Sequence, residues 1–271
     1  DFCLVKVAST FPANTRKSPP MPSINGVIMI FSALDGQPLA VIEDRAWITQ
    51  ARTAGAGAVA AELLARSGAS TLGIVGSGTQ ARLQAQAILH VLPGLTNLLV
   101  WGRRQESAQQ LAEDMRAFRP GLTVEVKETP EGVARGADIL VTTTYANEPI
   151  VRGEWLPEGA LAIGMGADSI HKRELDGEAL RNADKVFVDS RSQNEILGEV
   201  GHGIRTGLFD AGRIDGEIGE VLSGSAVGRT SDHERIVCKL TGVAVQEIFV
   251  CDYLMRTLGI LEPYSLDTAI A

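Results

Sequence analysis

The feature that most restricts this chain is a junction. A short apolar run, Thr71 to Val75, passes through Gly76-Ser77-Gly78-Thr79-Gln80-Ala81 into a helical pattern from Gln80 to Leu92. In a G-x-G-x-x-A turn of this kind the first glycine makes the tight bend, the second lets the backbone approach a ligand, and the small Ala81 lets helix and strand pack closely. The rhythm then repeats. Asn97 to Trp101, Leu122 to Val126, Ile139 to Thr143, Leu161 to Met165 and Val186 to Val188 are further short apolar runs, and helical stretches separate several of them. Ala108, Leu111, Ala112, Met115 and Phe118 mark one such helix, and Thr129-Pro130 caps a short one. Continuous apolar runs belong to strands buried on both faces. The six runs predict an α/β fold with a Rossmann-like, doubly wound parallel sheet.

The flanks follow another pattern. Phe2 to Val7 is strand-like, Pro12 to Pro22 reads as a loop, and Ile24 to Phe31 and Pro38 to Ile42 form a hairpin around Asp35-Gly36. From Thr49 to Arg66 alanines recur at helical spacing until Gly68 stops the helix. The organisation expected is therefore a smaller, discontinuous dimerisation domain over residues 1–67, the sheet domain over 68–242, and a return to the first domain over 243–271. Two-stranded hairpins are marginal alone. The apolar helix Val243 to Leu258, with Ile248, Cys251, Leu254 and Met255 on one side, is expected to cover one face of the strands. Their other face is expected to meet a symmetry mate in a homodimer. Because Asp1 opens directly into a strand-like run, a further N-terminal segment is also expected.

Charge and cysteine usage exclude several classes. With 25 Lys and Arg against 33 Asp and Glu, the net charge of −8 argues against a nucleic-acid partner. Cys3, Cys238 and Cys251 are odd in number and widely spaced, and His90, His171, His202 and His233 show no ligand spacing, so neither a disulfide framework nor a metal site is expected. With neither a long apolar segment nor a secretory signal pattern, a cytoplasmic protein without membrane partners is the expectation.

The junction carries chemistry. The diphosphate of a dinucleotide would lie on this helix N-terminus, where backbone N–H groups and the helix dipole favour an anion, with Gly76, Ser77, Gly78, Thr79 and Gln80 as the cofactor-binding residues. At the end of the next strand, where a carboxylate would accept from a ribose 2′-hydroxyl, stand Arg103 and Arg104. Two guanidiniums suit a 2′-phosphate, so NADP is expected over NAD; the plainer reading is two solvated surface arginines.

Pro22-Ser23-Ile24-Asn25-Gly26, Ala51-Arg52-Thr53-Ala54, Gly76 to Arg82, Trp101-Gly102-Arg103, Val141-Thr142-Thr143-Thr144, Gly164-Met165-Gly166-Ala167-Asp168 and Leu240-Thr241-Gly242-Val243-Ala244 occur in this order. Together they resemble the ornithine cyclodeaminase/mu-crystallin family over nearly the whole chain. Within it, Gly164 to Leu175 is most similar to imino-acid reductases and ectoine-utilisation proteins. The resemblance implies Lys6 as a catalytic and substrate-contacting lysine, Arg52 as the carboxylate-binding arginine and Asp168 as the catalytic acid. It further implies cofactor contacts at Thr142, Thr143, Thr144, Gly166, Lys239 and Gly242. It implies NAD(P)H-dependent reduction of an α-imino acid, or the reverse amino-acid dehydrogenation. Ornithine cyclodeamination and a catalytically silent, crystallin-like role are the alternatives; the family's cyclodeaminases look NAD-type, with an acid where Arg103 and Arg104 stand here.

The residues themselves leave other readings open. Arg52, in a core-facing helix, needs an anion that a substrate carboxylate or a protein Asp or Glu can supply. Lys6 also reads as an edge-strand lysine facing water. Asp168 also reads as the cap of a helix from Ser169 to Leu175, the threonines as plain strand formers, and Ser231 with Glu234 as a capping box.

Overall fold

The computed structural model describes residues 1–262 apart from positions 12, 15, 16 and 20, so the expected loop from Pro12 to Pro22 lies partly outside the described residues. The chain forms two units, Asp1–Arg52 with Ala244–Ala271, and Thr53–Val243. In the first, β1 (Phe2–Thr10), β2 (Ile24–Ser32) and β3 (Pro38–Ile42) make an antiparallel sheet in that order. The register pairs Leu4 with Ile30 and Ile30 with Ala40, and so sets Phe2, Leu4, Lys6, Ile28, Ile30, Ala40 and Ile42 on one face. Met29 pairs with both Val5 and Val41 on the opposite face, where Val5 and Val41 are exposed.

The alanine-rich helix is α1 (Trp47–Leu64), and the boundary between the units falls inside it, at Arg52/Thr53 instead of after residue 67. The reason is packing: Ala58, Ala60, Ala61 and Leu64 share one buried cluster with Leu72 and Ile74 of the second unit. Gly57 permits the approach of the neighbouring helix, because a Cβ there would meet the Gln84 amide oxygen at 2.0 Å.

The second unit alternates strands and helices. In chain order these are β4 (Thr71–Val75), α2 (Thr79–Val91), β5 (Asn97–Trp101), α3 (Gln105–Phe118), β6 (Thr123–Val126), α4 (Pro130–Ala134), β7 (Ile139–Thr142), β8 (Leu161–Gly164), α5 (Gly177–Arg181), β9 (Lys185–Val188), α6 (Arg191–Asn194), α7 (Gly198–Arg205), β10 (Ile214–Glu217), α8 (Ile218–Leu222) and β11 (Ile236–Lys239). All pairings are parallel, and the sheet has eight strands in the order β10-β9-β11-β8-β7-β4-β5-β6, two more than the apolar runs predict. The additional strands escape the pattern for different reasons. β10, Ile-Asp-Gly-Glu, is a polar edge strand, while β11 is central but only four residues long and ends on a lysine. Thr129 caps α4 by accepting from the Gly132 N–H, as Thr129-Pro130 predicts. No helix follows Ser231: the Glu234 carboxylate accepts from the backbone of Thr230 and Ser231 in a turn before β11.

The chain ends its described course in α9 (Ala244–Thr257), within the first unit. Cys251 and Met255 join Ile28, Ile30 and Ile48 in a small buried core, and Leu254 packs against it. Ile248, expected on that side, is instead 41% exposed. No helix among the described residues is long and apolar enough to cross a membrane.

Candidate functional site

Parallel strands put all their carboxyl ends on one edge, and the chain reverses its strand order between β4 and β7. Ligands of such sheets sit at that reversal. Gly76 follows β4 with φ +135, a conformation that glycine tolerates, and its N–H donates to Trp101 O at 2.8 Å. A Cβ on Gly76 would lie 2.3 Å from the Thr143 hydroxyl, so the turn after β4 and the end of β7 meet as closely as backbone allows. Gly78 is the N-cap of the 13-residue α2, has open space where a Cβ would stand, and no side chain caps the helix. A helix start without a side-chain cap suits an anion, and the glycine-lined turn before it fits a dinucleotide diphosphate. Ser77 closes against the end of β5, where a Cβ on Gly102 would meet its hydroxyl at 2.5 Å. Arg103 and Arg104 follow, both exposed.

Beneath the edge lies a carboxylate that the sequence does not reveal. Glu174 is fully buried, and its oxygens accept from Thr142 Oγ1 (2.8 Å), Thr144 Oγ1 (2.8 Å), the Thr144 N–H and the Gly166 N–H (2.6 Å). One side chain thus ties the segment after β7 to the segment after β8. Gly166 is required there, since a Cβ would lie 2.1 Å from Thr144 O. Burial and the neighbouring Glu199 carboxylate raise the pKa of Glu174 above its ordinary value, against the opposing pull of Lys239 and the Thr144 donors. Lys239 itself points inward. Its ammonium donates to Gly164 O and Leu240 O and pairs with Glu199 at 3.5 Å, all of it buried, so its side chain is committed to the scaffold. Asp189 does for the turn after β11 what Glu174 does elsewhere: Oδ2 accepts from the N–H of Thr241 (2.8 Å) and of Gly242 (2.6 Å).

Asp168 follows β8 in a segment that is not helical, so it caps nothing. Its Oδ1 lies 2.6 Å from Lys172 Nζ, and its side chain is more than half exposed.

In the first unit, Lys6 faces inward on β1 instead of toward water. Its ammonium donates to Thr49 Oγ1 (2.6 Å) and to Glu247 Oε1 (2.7 Å). Arg52 Nε donates to the same Glu247 oxygen at 2.8 Å, and its Nη1 to Gln246 Oε1. The protein carboxylate that Arg52 could require is therefore present, but two cations share it. One positive charge is left over among side chains that are 20% (Lys6), 14% (Arg52) and 5% (Glu247) exposed. A partly buried surplus cation is favourable only where an anion comes to it. Glu247 carries a readable signal, an acid inside the apolar run Val243 to Val250. Glu174, Glu199 and Asp189 carry none, because most of the backbone and side-chain groups that donate to them come from segments distant in the sequence. Among the described residues no group of His, Cys, Asp and Glu could hold a metal.

Comparison with known proteins finds relatives that cover nearly the whole chain. The family model described as ornithine cyclodeaminase/mu-crystallin family matches residues 2–257. An uncharacterized cyclodeaminase of Sinorhizobium fredii is 38% identical over 90% of this chain and 72% of its own. Among solved structures, the delta(1)-pyrroline-2-carboxylate reductase of Thermococcus litoralis in complex with NADH and L-proline is 31% identical, with a TM-score of 0.85 over 94% of this chain and 78% of its own. An archaeal alanine dehydrogenase dimer with bound NAD is 32% identical, with a TM-score of 0.88 over 96% of this chain and 79% of its own.

Proposed function

The chain belongs to the ornithine cyclodeaminase/mu-crystallin family, and from that premise we propose that it is an NAD(P)-dependent oxidoreductase that reduces an α-imino acid, or oxidises the corresponding amino acid. The observation that carries the substrate class is the surplus charge at Lys6, Arg52 and Glu247: two cations on one carboxylate hold room for a second anion, and an α-carboxylate supplies it. A nicotinamide dinucleotide, when bound, exchanges hydride with the substrate's α-carbon.

The chain's own residues do the rest. The turn from Gly76 through Gln80 holds the diphosphate on the first turn of α2. Thr142, Thr143, Thr144, Gly166 and Gly242 shape the nicotinamide and ribose end, with Lys239 acting from beneath through Gly164. Arg103 and Arg104 favour a 2′-phosphate, hence NADP, although NADH and NAD occupy the two solved relatives. Arg52 and Lys6 take the α-carboxylate. Asp168 accepts a proton from the amine nitrogen in oxidation and returns it in reduction. The uncovered face of β1 to β3, with Val5, Val7 and Val41 exposed, is the dimer surface in this reading.

The test is an assay of the purified chain with NADPH or NADH and a panel of cyclic imines, or of keto acids with ammonia. Cofactor oxidation by an imino acid is the expected result. Conversion of ornithine to proline and ammonia with catalytic cofactor would establish a cyclodeaminase instead, and cofactor binding with neither reaction would establish a silent protein.

A further inference from the structure

Asp168 has a companion that the proposed reaction leaves unused. The ammonium of Lys172 lies 2.6 Å from Asp168 Oδ1 and 3.7 Å from the centroid of the Tyr145 ring, and the Lys172 side chain is 10% exposed against 56% for Asp168. A lysine four carbons long that needed only hydration would extend into water, as surface lysines do. Here it is folded inward beneath an exposed carboxylate and onto an aromatic face, a place that costs desolvation and is repaid by one ion pair and one cation–π contact. Helix geometry does not produce the i,i+4 pairing, because residues 169–175 are not helical.

The backbone around Lys172 is held from several sides. Its own N–H donates to Ser169 O, the Arg173 N–H to Ala146 O, and the Glu174 N–H to the buried Glu199 carboxylate. Gly198 N–H donates to Ser169 O from another element. The ammonium is therefore a fixed point, whereas Asp168, after Gly166 and mostly exposed, is not fixed by packing. Oδ2 of Asp168 has no hydrogen bond or ion pair among the described residues, so the pairing occupies one oxygen and leaves the other.

We propose that Lys172 is a positioning residue for Asp168, holding Oδ1 so that Oδ2 alone exchanges the proton with the substrate nitrogen. This rests on the proton-transfer role given to Asp168 above. In oxidation the amine N–H bond breaks and its proton moves to Oδ2, while hydride leaves the α-carbon for the oxidised cofactor to give an imine. In reduction the imine carbon gains hydride, the nitrogen gains the proton, and Asp168 is left as the carboxylate. Lys172 keeps its protons throughout and is neither donor nor acceptor to substrate.

Lys172→Met keeps the length and the packing on Tyr145 and removes the charge. It is expected to lower kcat about tenfold or more, leave KM for the imino acid and cofactor affinity within about twofold, and raise the solvent isotope effect on kcat as proton transfer becomes slower. Lys172→Arg is expected to restore most of kcat, because a guanidinium can still hold Oδ1. A readout independent of turnover is carbodiimide treatment, in which the reagent takes up one water and an amide joins Asp168 to Lys172 within one peptide. Unchanged kcat and isotope effect in Lys172→Met, with Asp168→Asn strongly impaired, would overturn the proposal and leave the reaction standing. So would loss of thermal stability with normal kcat per folded molecule, or absence of the cross-link. A wild-type protein inactive on the whole panel, or Asp168→Asn with full activity, would remove the underlying reading and this proposal with it.

Discussion

Two buried glutamates, Glu247 and Glu174, sit in clusters of opposite electrical balance. Glu247 is one carboxylate for two cations, Lys6 and Arg52, and every partner is a side chain. Glu174 receives two backbone N–H groups and two threonine hydroxyls, all neutral, and with Glu199 and Lys239 it makes two carboxylates for one ammonium. The first cluster has charge to offer a ligand. The second has spent its hydrogen-bonding capacity on fixing two loops, and it has no surplus cation to offer an anion. The lesson is that burial of an acid says little by itself; the sign of what surrounds it separates a binding site from a scaffold.

Removing a surplus cation should have the largest effect. Arg52→Ala is expected to lower kcat/KM for the carboxylate-bearing substrate by about 100-fold, the range for a lost charge-assisted contact, with cofactor affinity unchanged in fluorescence titration. An equal loss of cofactor affinity would break the comparison, because Arg52 would then belong to a scaffold as Glu174 does.

Glu174→Gln should act the other way. An amide NH2 must face one of the N–H or O–H donors that the carboxylate now accepts, leaving a buried donor unpaired at about 1–3 kcal/mol. The expected result is lowered stability in urea unfolding and weaker cofactor binding, with KM for substrate little changed.

The same residue predicts a pH dependence. Since its folded pKa is raised above the ordinary 4.5, the folded state holds the proton more tightly than the unfolded chain. Its contribution to stability is therefore greatest below 4.5, declines as pH rises through the raised folded value, and is constant above it. Wild type should lose stability relative to Glu174→Gln across that rise, and parallel pH curves would refute the assignment.

Cofactor choice is the next smaller effect. Arg103→Asp is expected to shift preference from NADPH toward NADH by about tenfold, through loss of a phosphate contact and gain of an acceptor for the 2′-hydroxyl. Equal selectivity before and after would move the assignment to Arg104.

The smallest effect concerns thiols in the first unit and the sheet. Burial pushes Cys251 up to about 11 and raises Cys238 further, whereas Cys3 lies on the uncovered face of β1. Alkylation near pH 8 should spare Cys238 and Cys251, and Cys3 should react only after dilution dissociates the proposed dimer. Rapid labelling of Cys3 in the intact dimer would place the interface elsewhere.

Some of this molecule was written locally. The junction at Gly76, the cap at Thr129 and the apolar strands follow from φ preferences, capping and periodicity, which act over a few residues, whereas the alanine-rich helix ends at Leu64, before the stop expected at Gly68. Arg52 was legible too, because a guanidinium in an alanine-rich helix demands an anion. Tertiary structure decided what depends on partners far away in the chain: the inward turn of Lys6, the commitment of Lys239 to the scaffold, the division inside α1, and the loop-fixing carboxylates Glu174 and Asp189. Short polar β10 and lysine-ended β11 became strands because neighbours in the sheet, not their own residues, satisfy their backbone. The physical reason is one of range: local conformation costs are set by adjacent residues, whereas the meaning of a buried charge is set by whichever groups folding brings within a few ångströms of it.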